Sequence, residues 1–312
     1  AGDIFSLYFG SRLVVVLNSY KMVKEGLVTN ANALSDRPPW KHLEGSTNGL
    51  FFSNGHLWKE QRTMSISILR SFGMGKGSLS TKIKEEVSSY LEALAALRGK
   101  PTDVFLLTRT SISNIICSII VGKRYEYDDP FFAAFMESFD KMAQASETAA
   151  PVMFWPWLRH IPGNFMKSKT LNRCVHEMLE EFCIPHLCIA EVTLQGYTIP
   201  AGTTVLPNLD IVMMDENIWE KPLEFRPERF IDDKGNLIKH EAFMPFSVGR
   251  RMCLGEALAS MELFLFVSSL VQRFQLQPTT PSRPPKVDAI DGIVSAPKSF
   301  HVRFFERASL HA

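Results

Sequence analysis

The stretch PFSVGRRMCLGEALA, residues 245–259, sets one thiol, Cys253, two positions after a basic pair and two before a glycine, at the mouth of an apolar helix. A cysteine that only packs needs no more than an apolar niche. Here the free N–H groups and dipole of the coming helix favour the ionised sulfur, and small neighbours leave one side of it open. That is the setting of a metal ligand. Gly249 is free to take the positive φ of a tight turn, Gly255 leaves room for a flat group near the backbone, and Phe246 is placed to shield the sulfur. Arg251 is a candidate partner for a carboxylate carried by the bound group.

The elements that must position these residues are legible from periodicity. DIFSLYFGSRLVVVLNSY reads as two short strands around a Gly-Ser turn, followed by a helix with Ser19 as its cap. NGHLWKEQRTMSISILRSF, KIKEEVSSYLEALAALRGK and DVFLLTRTSISNIICSIIVGKRY carry apolar residues at spacings of three and four, which predicts a run of helices on one core. TAAPVMFWPWLRHIPGNF is proline-broken and aromatic, and NRCVHEMLEEF after it is a charged helix cut short at CIPHLC. VTLQGYTIPAGTTVLPNL predicts a hairpin whose two β runs flank Ile-Pro-Ala-Gly, with Pro200 and Gly202 in the turn. Residues 216–245 are irregular, EALASMELFLFVSSLVQRF is a helix apolar on most sides and so predicted to be buried, and PKSFHVRFFER is a last strand.

Bulk properties exclude several function classes. The chain has 312 residues, 46% hydrophobic and 21% charged, enough for a large core. With 34 basic and 33 acidic residues it has no electrostatic footprint for nucleic acid. Five cysteines, Cys117, Cys174, Cys183, Cys188 and Cys253, make an odd, scattered set without an N-glycosylation sequon, which points to a reducing compartment. No stretch has the cationic start and apolar core of a signal peptide, and none reaches the roughly 18 apolar residues of a membrane span, so the chain is expected to be soluble or peripherally bound. Cys174, His176, Cys183, His186 and Cys188 crowd one window but lack the regularly spaced ligand pairs of a zinc module. GMGKG at 73–77 and DDKGN at 232–236 read as turns, not as a phosphate loop or a carboxylate pair for catalysis.

FSVGRRMCLG resembles, residue by residue, the Phe-x-x-Gly-x-Arg-x-Cys-x-Gly signature of the cytochromes P-450, and the likeness extends over nearly the whole chain, toward the microsomal branch that oxidises fatty acids, steroids and foreign compounds. The resemblance implies a mainly α fold with a small β-sheet, a single haem-thiolate domain over residues 1–312. Haem is the implied cofactor and Cys253 the implied iron ligand, with Phe246, Gly249, Arg251 and Gly255 around it. SNGHLWKEQR resembles the family's C helix, implying that Trp58 and Arg62 hydrogen-bond a haem propionate; IPHLCIAEVTLQGYTIPAGTTV resembles the segment entering the β-sheet, where the histidine matching His186 reaches a propionate. WEKPLEFRPERF places Arg229 as the arginine of a charged triad. The implied activity is insertion of one oxygen atom into an apolar substrate, with NADPH–cytochrome P-450 reductase and cytochrome b5 as electron donors at the cytosolic face of the endoplasmic reticulum membrane. Lys59, Arg70, Lys76 and Arg250 would face the donor, and Phe51, Phe52 and Phe154 to Trp157 the substrate.

The sequence departs from the family in one block. Neither the Ala/Gly-Gly-x-Asp/Glu-Thr stretch of the long central I helix nor the Glu-x-x-Arg of the K helix occurs, and the sequence runs from the F–G-like region directly into the sheet-like region, as if residues had been removed near 181–184. AGTT at 201–204 is no substitute, since it is preceded by Pro200 and lacks the acid. No catalytic side chain is therefore assigned, and Arg229 is expected to lack its carboxylate. By the same likeness residue 1 lies inside the family's first strand, beyond the N-terminal anchor. The alternative reading is a non-catalytic member that acts by binding a membrane, a reductase or a partner.

Overall fold

The computed structural model describes residues 2–39, 49–74, 77–138, 141, 184–280, 289–290 and 296–308. The chain divides into two compact units, one of Ala1–Thr63, Ser146–Cys253 and Gly292–Val294, the other of Met64–Ala145, Leu254–Asp291 and Ser295–Ala312. Helices dominate and the sheets are small, as the family resemblance implies. The predicted helix over NRCVHEMLEEF, the aromatic loop before it, Lys76 and the three residues 181–183 lie outside the described residues.

The first unit is built on a four-stranded sheet. Strands β1 (Ile4–Phe9) and β2 (Arg12–Leu17) form the expected hairpin, Ile4 opposite Leu17 and Phe9 opposite Arg12. Beyond β2 the sheet continues through β7 (Thr204–Pro207), which runs parallel to it, and ends at β4 (His186–Leu187). The residues Val14 to Leu17 and all of β7 are buried without alternation, as expected for strands covered on both faces. Ser19 caps helix α1 (Tyr20–Lys24), its hydroxyl accepting from the Met22 N–H at 3.4 Å, and a π-helical turn over Glu25–Thr29 follows. The core of this unit gathers Leu17, Met22, Leu27, Leu34, Leu194, Val205 and Trp219.

The predicted hairpin around Ile-Pro-Ala-Gly does not form. Strands β5 (Val192–Leu194) and β6 (Tyr197–Ile199) pair with each other instead, across Gln195 and Gly196. Both turn residues have positive φ, 48° and 85°, the backbone that matches the twist of a two-residue hairpin. The Pro200–Gly202 turn carries the chain away into β7, whose four buried side chains gain more between β2 and β4 than at the edge of a two-stranded ribbon.

In the second unit helix α3 (Gly77–Ala96) packs against both α4 (Phe105–Ile120) and α6 (Glu256–Arg273), and a three-stranded sheet joins β3 (Thr102–Asp103), β11 (His301–Glu306) and β8 (Phe274–Pro278) in the order β3-β11-β8. Helix α2 (Gly55–Ser71) bridges the boundary in the chain, and the short α5 (Leu209–Met214) belongs to the first unit. Ile83, Leu94, Ile115, Phe266, Phe274 and Phe304 share one core. Within it Glu86 is buried yet satisfied: it accepts from Ser111 Oγ at 2.9 Å, Tyr127 Oη at 2.6 Å and Arg124 Nε at 2.8 Å. Burial and the Glu86 bond push the Tyr127 hydroxyl well above its ordinary range.

Helix α6 departs from expectation. Apolar on most sides, it was expected to be buried, but only Leu258, Glu262 and Phe266 are, while Leu263, Phe264, Val267 and Val271 stand at least half exposed. The helix packs along one face, and that face carries its one interior charge. Glu262 Oε1 is buried with no hydrogen-bond partner, and burial pushes the carboxyl up to about 7. In the unfolded chain the group titrates near an ordinary glutamate value of about 4.3, so the folded state binds the proton more tightly. Its stabilising contribution is complete below about pH 4.3 and is lost as the pH rises to about 7. Glu262→Gln, which keeps the shape of the protonated acid, should leave the urea midpoint at pH 4 nearly unchanged and raise it at pH 8. An equal shift at both pH values, followed by circular dichroism, would contradict the assignment.

Candidate metal centre

The segment that presents Cys253 is held from behind by a contact only glycine permits. Val248 ends extended, a 3-10 turn covers Gly249–Arg251, and Cys253 N–H donates to Phe246 O at 2.9 Å, closing the loop. Gly249 has φ 77°, and a Cβ built there would fall 2.0 Å from Leu27 O in the π-helical turn. The loop thus seats directly on the backbone of residues 25–29, and Gly249 takes the positive φ that its lack of a side chain leaves it free to adopt. Ser247, with φ 63°, is a second left-handed residue in the same loop. Gly255 instead serves as N-cap of α6, with φ −88°.

Cys253 is exposed, so its sulfur is open to a bound group, while Cys188 is buried with its thiol donating to Ala190 O at 3.0 Å. Among the described residues no three His, Cys, Asp or Glu side chains converge on a metal-sized site. A metal held by Cys253 must therefore bring most of its own ligands, which suits an iron already held by a porphyrin. Cys174, His176 and Cys183 lie outside the described residues.

Around the loop the structure gathers cations. The Trp58 ring is buried; the Arg251 guanidinium lies 4.0 Å from its centroid and that of Arg62 5.9 Å. Arg62 Nη2 also donates to Met252 O at 2.7 Å, next to the cysteine. Burial lowers the Arg62 pKa and the nearby Cys253 opposes the shift. Arg251 donates through Nε to Ser35 O at 2.7 Å, through Nη2 to Ser53 O at 2.7 Å and Asn54 Oδ1 at 3.2 Å, and through Nη1 to Leu50 O at 3.5 Å. Of the five N–H groups of a guanidinium, one on Nη1 is left for a further acceptor. Burial, and then the neighbouring Arg37, bring Arg251 down to about 10.

His186 sits on β4 with its Nδ1–H donating to Leu34 O at 2.6 Å and its Nε2 buried without a partner. Burial and the charge of Arg37 hold the imidazole neutral, its pKa down to about 3. Trp58, Arg62, Arg251, Cys253, Gly249 and His186 all belong to the first unit; Phe246 is half-buried beside them in sequence, and Gly255 opens the second unit. What the sequence did not single out is the frame behind Arg251. Arg37 and Asn54 exchange bonds, Arg37 N–H to Asn54 Oδ1 at 2.7 Å and Asn54 Nδ2 to Arg37 O at 2.9 Å, and Arg37 Nη1 reaches Ile184 O and Pro185 O. No spacing rule marks such residues, because their partners are backbone carbonyls far along the chain.

Two further expectations find their place. Phe51 and Phe52 are in edge-to-face contact at 4.7 Å, Phe51 half exposed; Phe154 to Trp157 lie outside the described residues. Arg229 does not stand as an unsatisfied buried cation: Nε donates to Arg226 O at 3.1 Å and Nη2 to Lys221 O at 3.1 Å and Glu224 O at 3.0 Å, so its own loop supplies the acceptors.

An exposed thiol on a glycine-seated loop, with the cationic side chains of Arg62 and Arg251 near it, is the arrangement a haem-thiolate protein needs. The family model described as "Cytochrome P450" matches residues 1–183 and again 169–304, and the chain belongs to that family. It is similar to cytochrome P450 2D3 of Rattus norvegicus, 29% identical over 432 positions that cover 98% of this chain and 86% of the relative. Cytochrome P450 2D26 of Rattus norvegicus is 32% identical over 399 positions, covering 88% and 80%, and cytochrome P450 2K4 of Oncorhynchus mykiss is 30% identical over 399, covering 89% and 79%. Each alignment is longer than this chain of 312 residues, so each relative carries residues with no counterpart here. Members of the family are monooxygenases that bind haem through a cysteine thiolate.

Gly249→Ala should place a methyl group against Leu27 O and strain the backbone, lowering the unfolding free energy by on the order of 2–4 kcal/mol. Chemical denaturation compared with Gly202→Ala, where the φ is also positive but nothing stands near a Cβ, separates the contact from the φ cost. Equal losses in the two variants would show that the close approach to Leu27 carries no weight.

Proposed function

We propose that this chain is a haem-thiolate monooxygenase that inserts one atom of O2 into an apolar organic substrate, a fatty acid, steroid or foreign compound, with electrons from NADPH through NADPH–cytochrome P-450 reductase and with cytochrome b5 as a second donor. The observation that carries the reading is Cys253: an exposed thiol at the end of a loop whose geometry is fixed by Gly249 and Leu27. When bound, haem supplies the redox chemistry of oxygen activation, which no side chain can provide. The chain's own residues bind and orient. Cys253 gives the thiolate, Gly249 and Phe246 hold the loop that carries it, and Gly255 leaves room beside it. Trp58, Arg62, the free N–H of Arg251 and His186 would hold the carboxylates of the group. The positive charge of Arg62 and Arg251, opposed at Arg251 by Asp36, favours an anion.

The second reading, a member that binds without turning over, is supported by the sequence that is missing. No Glu-x-x-Arg occurs, Arg229 has turned to carbonyls of its own loop, and α6 keeps an apolar face open. The two stretches matched by the family model overlap at 169–183, which supports one haem-thiolate domain with an internal block absent near 181–184. The microsomal relatives support a place at the cytosolic face of the endoplasmic reticulum membrane by peripheral contact; among the described residues no helix is long and apolar enough to cross a membrane.

A reduced carbon monoxide difference spectrum of the haem-supplied chain decides whether the thiolate site forms. A red-shifted Soret band that Cys253→Ser abolishes is the expected result; its absence in the unmodified chain would hand the case to the binding-only reading. Exposed Lys59 and Arg250 are offered as part of the donor surface. Reversing the charge of Arg250 should weaken reductase binding more at low than at high salt, and equal loss at both would remove it from that surface.

A further inference from the structure

We propose that filling the site draws one proton into the protein at His186, shared between the imidazole Nε2 and a carboxylate of the porphyrin. The inference rests on the haem-thiolate reading and concerns what the pocket demands of its occupant. Nδ1 is already committed as a donor to Leu34 O at 2.6 Å, so Nε2 carries the ring's lone pair, and it is buried with no partner. A carboxylate oxygen is likewise only an acceptor. Two acceptors cannot bond without a proton between them, and the count is the same whether that proton is assigned to nitrogen or to oxygen.

The charges that face His186 explain why the free protein lacks this proton. Arg37 and Arg251 both act on the ring as cations, the strand opposite offers apolar Val205, and among the described residues the favourable group is the Leu34 carbonyl. Asp36 acts on Arg251 but is not among the groups that move His186. Burial adds to the same effect, so the ring is neutral throughout the physiological range. An anion entering between these cations reverses the sign of the local field and stabilises a cationic imidazole. Ligation of iron by Cys253 releases the thiol proton, so the uptake at His186 is read as a difference, with the thiol common to both sides.

The test is calorimetric titration of haem into the full chain at pH 7 in two buffers of different ionisation enthalpy, for the native protein and for His186→Asn, whose amide N–H can donate to a carboxylate with no added proton. The native protein should take up one proton more than the variant, and between pH 7 and 8 its affinity should fall about tenfold relative to the variant's. To separate proton uptake from any change in folding, haem dimethyl ester on the native chain gives a second comparison: uptake should be one proton lower than with the free acid. Haem binding with equal proton counts in both comparisons overturns the proposal and leaves the haem reading standing. Failure of the native chain to bind haem, seen as an unshifted Soret band, overturns both.

Discussion

Arg251 is half-buried in the first unit and, among the described residues, forms no ion pair with a carboxylate, and the rest of that unit is arranged around the consequence. A guanidinium taken out of water must find acceptors for its N–H groups or lose several kcal/mol. Here Ser35, Leu50, Ser53 and Asn54 supply them, and Trp58 offers its ring face 4.0 Å away. Those acceptors come from a stretch some two hundred residues earlier in the chain, so satisfying Arg251 also fixes that segment against the loop that ends in Cys253. Asn54 extends the tie by exchanging hydrogen bonds with Arg37, which in turn reaches the carbonyls before His186. The position of the candidate ligand and the positions of the candidate carboxylate partners are thereby set by one network of charge-assisted bonds.

The price of this arrangement is a concentration of positive charge that, among the described residues, Asp36 opposes. Arg37 and Arg62 lower the affinity of Arg251 for its proton, and burial with Arg37 and Arg251 holds His186 neutral beside them. Such a cluster of cations is better stabilised with an anion beside it than without one. The second unit resolves a similar problem differently. Glu86, buried among apolar side chains, is given Ser111, Arg124 and Tyr127 as donors, whereas Glu262 on α6 is given none for Oε1 and answers by holding its proton. The outward face of α6, with Phe264 and Leu263 exposed, inverts the usual distribution of a surface helix.

Much of the fold was readable from residue pattern. The alternating and apolar runs around Gly10, the three long helices between residues 55 and 120, the cap at Ser19 and the last strand all follow from local rules that need no knowledge of the rest of the chain. The errors fell where a local rule met a stronger tertiary one. Pro200 and Gly202 form a good turn, but β7 is drawn to the middle of another sheet, and the hairpin closes at Gln195 and Gly196 instead. The α6 sequence is apolar on most sides and so predicts a buried helix, yet burial depends on having a neighbour for each face, which no single helix can specify.

The candidate site divides in the same way. The sequence by itself determined that a lone thiol would stand at a helix start behind a glycine turn, because the types and spacing over residues 246–255 permit little else, and it determined the family through that motif. Only the tertiary structure decided that Gly249 would lie against Leu27 O, that Arg251 would spend most of its N–H groups on distant carbonyls, and that His186 would keep Nε2 empty. The reason is physical: a motif is a statement about neighbours in the chain, whereas the satisfaction of buried charge and the limits of close approach are statements about neighbours in space.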